Sequence, residues 1–349
     1  MRILIIAENL SKVRGGIEHH ADILFEKCLG KGIETIKVSY AELFFYKNIS
    51  PGNDILIFEG IKRFSLLYLY IFRRNLLRST LLFTHGSLIS DTRWKELKAV
   101  GFYSYWIPFW KFFDLLWLGR ILKTINKLIT LSSVEKNEIA DKFSISKTEI
   151  LVLDNFISDN VENLPNAVQL GISPSMLNII SEKKPYLLTV SRIDKRKNLK
   201  NAVLATHALK INYLLAGRDQ GGLKEILKIV KKENILEFKY LGEISDSDRT
   251  VLLKNSMGFL LPSYLEGIPF SIYEALSLGK PAILTKISYV PSLKNLIFCD
   301  PSLESIKNSI TLLLEQHNHT AEEKKDLKIK SDDEIFSNFY EIVLDSLKK

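Results

Sequence analysis

The amino-acid sequence predicts an α/β protein made of two doubly wound domains, each built on a parallel sheet. Its 349 residues exceed what one hydrophobic core usually organises, and they suit two domains. Short apolar runs rich in β-branched residues alternate with helical patterns along the chain. These apolar runs are continuous, which indicates strands covered on both faces, as in a parallel sheet between layers of helices.

The first domain is predicted from the alternation of strands and helices in the first half of the chain. The strands are Arg2–Ala7, Thr35–Ser39, Asp54–Glu59, Leu81–His85, Leu128–Leu131 and Ile150–Leu153. The helices are Gly16–Leu29, Phe64–Leu77, Arg93–Ala99, Phe109–Ile125 and Val134–Phe143. Repeated strand–helix units of this kind are typical of a doubly wound domain.

A weaker pattern between residues 159 and 185, with prolines at 165, 174 and 185, predicts a linker. Strands then resume at Tyr186–Val190, Tyr213–Ala216, Phe238–Leu241, Gly258–Leu261 and Ala282–Leu284. Helices are expected at Asn198–Leu209, Leu223–Lys232, Asp246–Asn255, Phe270–Leu278, Leu303–Glu315 and Asp333–Leu347. We therefore expect domains at residues 1–165 and 166–330 and a final helix within 331–349. Such sheets bind ligands at the carboxyl ends of their strands, here in a cleft between the domains.

The net charge of +8 is concentrated in one segment. Residues 60–130 hold twelve Lys or Arg against three acidic residues, a balance of +9, so the rest of the chain is close to neutral. A local basic surface indicates an anionic partner, such as a membrane, nucleic acid or phosphate.

Aromatic side chains within this basic segment favour a membrane surface. They are Trp106, Trp110, Phe112, Phe113 and Trp117, and basic residues border them. This combination is typical of a helix that lies in a membrane interface. The alternative is an interior helix packed against the sheet. Nucleic acid is not expected, because the sequence shows no motif of stacking aromatics on a basic groove.

The sequence predicts neither a disulfide nor a transmembrane span. Cys28 and Cys299 lie far apart beside apolar runs, which indicates buried thiols in a reducing compartment. The first apolar run is short and ends at Glu8, so we interpret it as a strand and not as a signal peptide. No run approaches the roughly 20 apolar residues that a spanning helix needs. We expect a cytoplasmic protein.

Two loops of the first domain are candidate ligand contacts. Gly15 and Gly16 follow the first strand and open the first helix, where bare backbone amides favour an anion. A plain tight turn is the alternative, and the dinucleotide fingerprint Gly-x-Gly-x-x-Gly is absent. His85 precedes Gly86 at the end of the fourth strand, an edge that lines the binding cleft in such folds.

The first loop of the second domain carries Arg192 and Lys197, which could hold one phosphate from two sides. A solvated basic loop is the alternative. Asp246 and Asp248 form an Asp-x-Asp sequence that binds divalent metals in some sugar transferases. They stand where a helix begins, however, and capping and the helix dipole explain acidic residues there. No metal is expected.

Two glutamates, Glu266 and Glu274, stand eight positions apart around a helix start, and Gly279-Lys280-Pro281 ends that helix. Eight helical residues span about 12 Å, more than the roughly 5–9.5 Å that separate the paired carboxylates of glycosidases. Two separate polar contacts along one elongated ligand fit better. Gly267 leaves amides open to a phosphate, and the carboxylates can accept hydrogen bonds from ribose and sugar hydroxyls.

The Glu266-to-Glu274 element, with Ala275-Leu276 and Gly279-Lys280-Pro281 behind it, resembles the most specific motif of the retaining family-4 glycosyltransferases of the GT-B fold. The resemblance covers nearly the whole chain. It includes Gly15-Gly16-Ile17-Glu18 as a phosphate-side glycine loop, His85 as a residue facing the donor sugar, and Arg192 with Lys197 as the pair holding the donor diphosphate. Two departures are Phe156 in place of a usual Gly, and Ile268-Pro269-Phe270 in place of Phe-Gly-Leu in the donor-sugar loop.

By this resemblance, the protein moves a sugar from a nucleotide diphosphate sugar to a lipid-linked or other glycan acceptor, with retention and without a metal or cofactor. Residues 1–165 would bind the acceptor, residues 166–330 would bind the donor, and the last helix would cross back to the first domain. Glu274 would bind the ribose and Glu266 the transferred sugar, with Gly267 and Ile268 beside the donor. Arg192, Lys197 and helix N-terminal amides would stabilise the departing diphosphate.

This resemblance implies a role in surface polysaccharide or lipopolysaccharide synthesis, as a peripheral protein on the cytoplasmic face of the membrane. A nucleotide-sugar epimerase of similar fold is an alternative, although the spacing of Glu266 and Glu274 and the basic aromatic segment argue against it. An NAD oxidoreductase would need the missing glycine fingerprint. A non-catalytic partner subunit is the alternative outside the enzymes.

Overall fold

The computed structural model describes residues 1–8, 16–86, 107–156, 173–286, 290, 293–319 and 331–347. The chain divides into two compact units. The first comprises Met1–Phe156, Tyr289–Pro291 and Lys330–Lys349, and the second comprises Ile157–Ser288 and Ser292–Ile329. The predicted helix Arg93–Ala99 and the residues Gly15 and Trp106 lie outside the described residues.

The first unit contains a sheet of six parallel strands in the order β2-β1-β3-β4-β5-β6. The strands are β1 (Arg2–Ala7), β2 (Glu34–Ser39), β3 (Asp54–Glu59), β4 (Thr80–Phe83), β5 (Lys127–Thr130) and β6 (Ile150–Val152). Leu4 of β1 lies between Ile36 and Leu56 on the neighbouring strands. Every residue of β3 and β4 is buried, because helices cover both faces of the sheet.

The helices of the first unit are α1 (Gly16–Gly30), α2 (Arg63–Phe72), α3 (Arg74–Leu77), α4 (Ile107–Phe113), α5 (Gly119–Leu122) and α6 (Ser133–Phe143). The predicted single helix Phe64–Leu77 is two helices. Arg73 leaves the helical conformation, with φ −141° and ψ 44°, and its guanidinium donates to the carbonyl of Tyr46 at 2.7 Å. This tertiary contact holds the break between α2 and α3.

A π-helical stretch, Asp114–Leu118, connects α4 to α5 within the helix that the sequence predicts over Phe109–Ile125. Asp114 is buried and accepts a two-pronged ion pair from Arg63, with Nε–Oδ1 2.6 Å and Nη2–Oδ2 2.8 Å. The pair joins α2 to the π-helical stretch.

The second unit contains another sheet of six parallel strands, in the order β12-β11-β10-β7-β8-β9. The strands are β7 (Tyr186–Val190), β8 (Asn212–Ala216), β9 (Phe238–Tyr240), β10 (Gly258–Leu261), β11 (Ala282–Thr285) and β12 (Leu296–Cys299). Leu188 lies between Leu214 and Phe259 at the centre of the sheet. Two parallel sheets flanked by helices confirm the predicted fold class.

The helices of the second unit are α7 (Pro174–Lys183), α8 (Leu199–Ala208), α9 (Leu223–Lys232), α10 (Asp246–Asn255), α11 (Phe270–Ser277) and α12 (Leu303–His319). Helix α7 corrects the predicted linker. Pro174 occupies the first helical position, where a backbone N–H has no partner within the helix, so its absence costs nothing. Met176 and Ile180 are buried on one face of the helix. Strand β12 was also not predicted.

The last helix, α13 (Asp332–Ser346), belongs to the first unit, as the fold prediction requires. Phe336 and Phe339 are buried, and the Phe339 ring centroid lies 6.1 Å from that of Phe83 at the end of β4. Surface ion pairs from Lys27 and Lys127 to acidic residues of the helix flank this apolar contact.

Candidate functional site

The loop after β7 holds the two predicted phosphate-binding cations in different environments. It runs from Ser191 to Asn198 and includes a 3-10 turn at Lys195–Lys197. Lys197 is 9% exposed, and its ammonium group pairs with the carboxylate of Glu266. Arg192 is exposed and makes no ion pair within the described part of the chain. The fold therefore fixes one cation and leaves the other in solvent.

Two further residues hold this loop, and the sequence analysis assigned neither. Asp194 accepts hydrogen bonds from the backbone N–H and the guanidinium of Arg196, both at 2.8 Å. Asn198 has left-handed backbone, with φ 54°, and its Nδ2 donates to the carbonyls of Pro262 at 2.9 Å and Pro301 at 2.8 Å. Asn198 thus ties together the loops that follow β7, β10 and β12.

Gly217, directly after β8, permits a close approach of two backbones. Its φ is +131°, and a Cβ at this position would lie 1.9 Å from the carbonyl oxygen of Ser191. Its N–H donates to the carbonyl of Gly242 at 2.7 Å. Only glycine fits here, and the placement of Ser191, next to Arg192, depends on it.

Glu266 lies in the loop after β10 and is held from two sides. Its Oε1 accepts from the Ser263 hydroxyl at 2.8 Å and from the Lys197 ammonium. The side chains of Lys197 and Glu266 are each 11% exposed. Beside them Gly267 is half-buried and Ile268 is buried.

Glu274 lies on α11, in its second turn, and is 6% exposed. Arg249 on α10 pairs with its Oε1 at 3.1 Å. Burial raises the pKa of Glu274, the Arg249 charge opposes that rise, and the nearby Asp246 carboxylate adds to it. The Arg249 contact was not predicted, since it joins side chains 25 positions apart.

The two acids of the Asp-x-Asp sequence serve the start of α10. The Ser245 hydroxyl accepts from the backbone N–H of Asp248 at 3.1 Å, which caps the helix. Asp246 pairs with Arg249 at 3.3 Å, and Asp248 accepts from the backbone N–H of Ser173 at 3.4 Å. Both acids therefore lie in the first turn of a helix that Ser245 caps, and each has a partner within the protein.

In the first unit, buried ionisable groups meet at the carboxyl ends of the strands. Glu59 ends β3, His85 follows β4, and His20 projects from α1. Glu59 Oε2 lies 3.0 Å from His20 Nδ1 and 2.5 Å from His85 Nε2. Burial works to raise the pKa of Glu59, but the two imidazoles outweigh it and lower the value to about 2.

The same edge holds two more buried polar residues, Glu135 at the start of α6 and Asn155 after β6. Glu135 Oε1 accepts from the backbone N–H of Gly86 at 2.7 Å, and burial raises the pKa of this carboxyl. Within the described residues, Glu135 Oε2 and both amide atoms of Asn155 have no hydrogen-bond partner. Gly16 begins α1 and is exposed.

His20, Glu59 and His85 also form a set of the type that can hold a metal, with ligand atoms within 4.8 Å of one another. Two ligands of one tetrahedral zinc ion are separated by roughly 3.3 Å, given metal–ligand bonds of about 2.0 Å. The 2.5 Å between Glu59 and His85 is a hydrogen-bond distance, as is the 3.0 Å between Glu59 and His20. We therefore interpret the cluster as a hydrogen-bonded network.

The basic aromatic segment is partly buried and partly exposed. Phe113 belongs to the core, whereas Phe112 is 61% and Leu115 81% exposed, and Trp117 is 39% exposed. The side chain of Trp110 lies outside the described residues. In the part of the chain that the structure describes, no helix has both the length and the apolar character needed to span a membrane.

Comparisons with known proteins give the family of the second unit. Residues 178–330, which include Arg192, Lys197, Glu266 and Glu274, match the family glycosyl transferases group 1. Over 135 residues the chain is 30% identical to N,N'-diacetylbacillosaminyl-diphospho-undecaprenol alpha-1,3-N-acetylgalactosaminyltransferase of Campylobacter jejuni, covering 38% of this chain and 31% of that protein. O-antigen chain mannosyltransferase B of Escherichia coli is 25% identical over 161 residues, 42% of each chain. The alignments thus span less than half the length of these curated relatives.

The fold extends the likeness to the whole chain. A glycosyltransferase from Rickettsia africae has the same fold, with a TM-score of 0.68 and 17% identity, covering 100% of this chain and 99% of that one. The architecture is that of the GT-B glycosyltransferases. Residues 178–330 match the family glycosyl transferases group 1, in agreement with the family that the sequence motifs indicated.

Proposed function

We propose that the protein is a retaining glycosyltransferase that moves a sugar from a nucleotide diphosphate sugar to a lipid-linked glycan, in surface polysaccharide or lipopolysaccharide synthesis. The observation that carries this proposal is the Lys197–Glu266 pair, which lies within the segment matching the family and beside the exposed Arg192. The names of the two curated relatives, one with a diphospho-undecaprenol acceptor and one of O-antigen synthesis, support the choice of acceptor.

In this proposal, the Lys197 ammonium holds the donor diphosphate. It carries three N–H donors, and Glu266 engages it from one side, so donors remain for phosphate oxygens. Arg192 adds a guanidinium fork from the same loop. As the bond between sugar and diphosphate breaks, negative charge accumulates on the departing diphosphate, and these fixed cations stabilise it. The acceptor hydroxyl attacks the anomeric carbon from the face that the diphosphate leaves, and its proton passes to an oxygen of the departing diphosphate.

The other predicted residues divide between the two units. Glu274 accepts hydrogen bonds from the ribose, Glu266 from the transferred sugar, and the amides near Gly267 and Ile268 meet the donor. In the first unit, His85 faces the donor sugar, and Gly15 and Gly16 lie at the phosphate side. No step uses a metal, since protein cations neutralise the diphosphate.

Incubation of the purified protein with a panel of nucleotide diphosphate sugars, with and without polyprenyl-diphosphate glycans, tests the function. We expect release of the nucleoside diphosphate with one donor class, faster with acceptor, and a product that retains the anomeric configuration by NMR. Activity should persist in EDTA. Loss of activity in EDTA and recovery with Mn²⁺ would instead assign a metal to Asp246 and Asp248.

Glu274 predicts a pH dependence of nucleotide binding. Its raised pKa means that the carboxylate acceptor is lost as pH falls through that value, so affinity for the bare nucleoside diphosphate should fall with pH. Arg249→Ala removes the opposing charge and raises the pKa further. At neutral pH we expect about tenfold weaker binding by calorimetry, since a charged hydrogen bond contributes about 1.5–3 kcal/mol. Arg249→Lys should restore most of it, and an unchanged pH profile would contradict the role of Glu274.

We also propose that the first unit binds the cytoplasmic face of the membrane through an exposed aromatic face. This face consists of Phe45, Phe64, Ile71, Phe72, Phe112, Leu115 and Trp117, all at least 39% exposed. Tyr70 connects the residues of this face on α2 to those on the π-helical stretch, because its ring lies 6.4 Å from that of Trp117. The guanidinium of Arg74 lies 5.0 Å from the Tyr70 ring, which places positive charge at the same surface.

The triple variant Phe72→Ser, Leu115→Ser, Trp117→Ser should bind vesicles containing phosphatidylglycerol at least about tenfold more weakly, since each fully buried large apolar side chain contributes about 1.5–3 kcal/mol. Binding of the wild type should weaken as salt screens the basic residues. Co-sedimentation measures both effects. Leu236→Ser, at a residue 73% exposed in the second unit, is the matched control. Equal vesicle binding by the triple variant and the control would rule out membrane binding through this face.

A further inference from the structure

We propose that Glu59 is a positioning residue that fixes the tautomer of His85, with the proton on Nε2 and the lone pair on Nδ1. This inference rests on the proposed function, because it assigns Nδ1 as the atom with which His85 accepts a hydrogen bond from a hydroxyl of the donor sugar. His20 completes the arrangement from the other side of Glu59.

The geometry of the three side chains leads to this tautomer. An ionised carboxylate can only accept hydrogen bonds, and Glu59 Oε2 lies within hydrogen-bond distance of both rings, 3.0 Å from His20 Nδ1 and 2.5 Å from His85 Nε2. Both nitrogens must therefore donate. A neutral ring that carries its proton on Nε2 has none on Nδ1, so Nδ1 of His85 becomes an acceptor.

The ionised state of Glu59 follows from its surroundings. The side chains of His20 and Glu59 are 0% exposed and that of His85 is 4% exposed. A buried carboxylate needs donors, and the N–H groups of the two imidazoles supply them. Its second oxygen, Oε1, has no partner within the described part of the chain.

His20 is held as the second donor by packing as well as by its bond. Its ring centroid lies 4.8 Å from those of Phe83 and His85 and 5.0 Å from that of Phe156. Its Nε2 is buried without a partner among the described residues. A bare lone pair there is less costly than an unpaired N–H, which favours the His20 tautomer with its proton on Nδ1.

The backbone of His85 is fixed independently of its ring. Its φ is +49°, a left-handed conformation that is uncommon for a residue other than glycine. The next residue, Gly86, donates its N–H to Glu135 at 2.7 Å. Because the backbone is held separately, a change at Glu59 should alter the state of the ring more than its location.

The test is long-range ¹H–¹⁵N correlation NMR of the histidine rings in the full chain, at a pH where the rings are neutral. In the wild type we expect His85 to be protonated on Nε2. The amide of Glu59→Gln can donate to Nε2 as well as accept from it, so the tautomer is no longer fixed and the population of the Nδ1-protonated ring should rise. Glu237→Gln is the matched control, because Glu237 accepts from His207 Nδ1 at 2.8 Å in the second unit. It should alter only the His207 signals.

Turnover of the nucleotide sugar gives the second measurement. Glu59→Gln should lower kcat at least tenfold, with little change in affinity for the bare nucleoside diphosphate, whereas Glu237→Gln should change neither. An unaltered His85 tautomer in Glu59→Gln, or a switched tautomer with wild-type kcat, would overturn the proposal. If Glu59→Gln fails to fold, His20→Phe keeps the ring packing and leaves Glu59 in place, so His85 should stay protonated on Nε2, and an Nδ1-protonated ring there would overturn the proposal. The NMR result stands even if no sugar transfer is found, so the two proposals fail separately.

Discussion

Replacing Gly217 by alanine should destabilise the second unit by about 3 kcal/mol or more, the largest stability effect that we expect from a single methyl group. The new Cβ would lie 1.9 Å from the Ser191 carbonyl oxygen, which is backbone and cannot rotate away. The φ of +131° adds strain for any residue with a side chain. Overpacking of this kind costs about 1–3 kcal/mol even where side chains can adjust.

Hydrogen exchange measured by mass spectrometry should show this loss in β7 and β8, where the two backbones meet. Gly242→Ala provides the matched control, because Gly242 also has a positive φ, +76°, but no atom lies within 4 Å of its would-be Cβ. We expect Gly242→Ala to lower the stability of the second unit by about 1 kcal/mol, from the backbone strain alone. Equal protection in the two variants would show that the Ser191 contact relaxes easily.

Lys197→Ala should slow turnover by about 10–150-fold, the largest effect on activity that we expect. A hydrogen bond to a charged group contributes about 1.5–3 kcal/mol, and each 1.36 kcal/mol of barrier is a factor of ten. Because charge on the diphosphate grows toward the transition state, kcat should fall more than the donor KM rises. Steady-state kinetics with the donor that the panel of nucleotide sugars identifies separates the two constants. Arg192→Lys should restore little of the turnover that Arg192→Ala loses, because lysine lacks the paired N–H donors of the guanidinium group.

The structure identifies Lys195 as the proper control for Lys197. Lys195 is exposed in the same loop, so Lys195→Ala should change little. Arg196 is a poorer control, because it is bonded to Asp194 and its removal could shift the turn. If Lys195→Ala and Lys197→Ala behave alike, the loop is a diffuse basic surface. A double-mutant cycle with Glu266→Gln should be non-additive, because Lys197 and Glu266 are in direct contact.

Strands could be predicted well, because a strand buried on both faces appears in the sequence as a continuous apolar run. Tyr186–Val190 and Arg2–Ala7 have the predicted bounds. The failures have physical causes. Helix α7 begins at Pro174, and the sequence analysis interpreted this proline as a sign of a linker. The break at Arg73 depends on a hydrogen bond to the carbonyl of Tyr46, a residue distant in the sequence.

The places of the candidate residues in the fold could be predicted where position along the chain was sufficient. Arg192, Lys197 and Glu266 all follow strands, where ligands of such sheets bind. The partners of these residues could not be predicted, because they depend on contacts between distant positions. Arg249 reaches Glu274, Asn198 reaches Pro301, and Glu59 joins two histidines. No local pattern in the sequence marks any of these contacts.

The location of α13 has a consequence for the order in which the chain matures during synthesis. The second unit ends before residue 330, whereas the first unit, although made first, also needs α13 to bury Phe336 and Phe339. Chains emerge from the ribosome amino end first, and domains fold as their residues become available. The half that is translated second can therefore finish folding first. The Phe83 side of the first unit, next to His85, stays incomplete until α13 emerges.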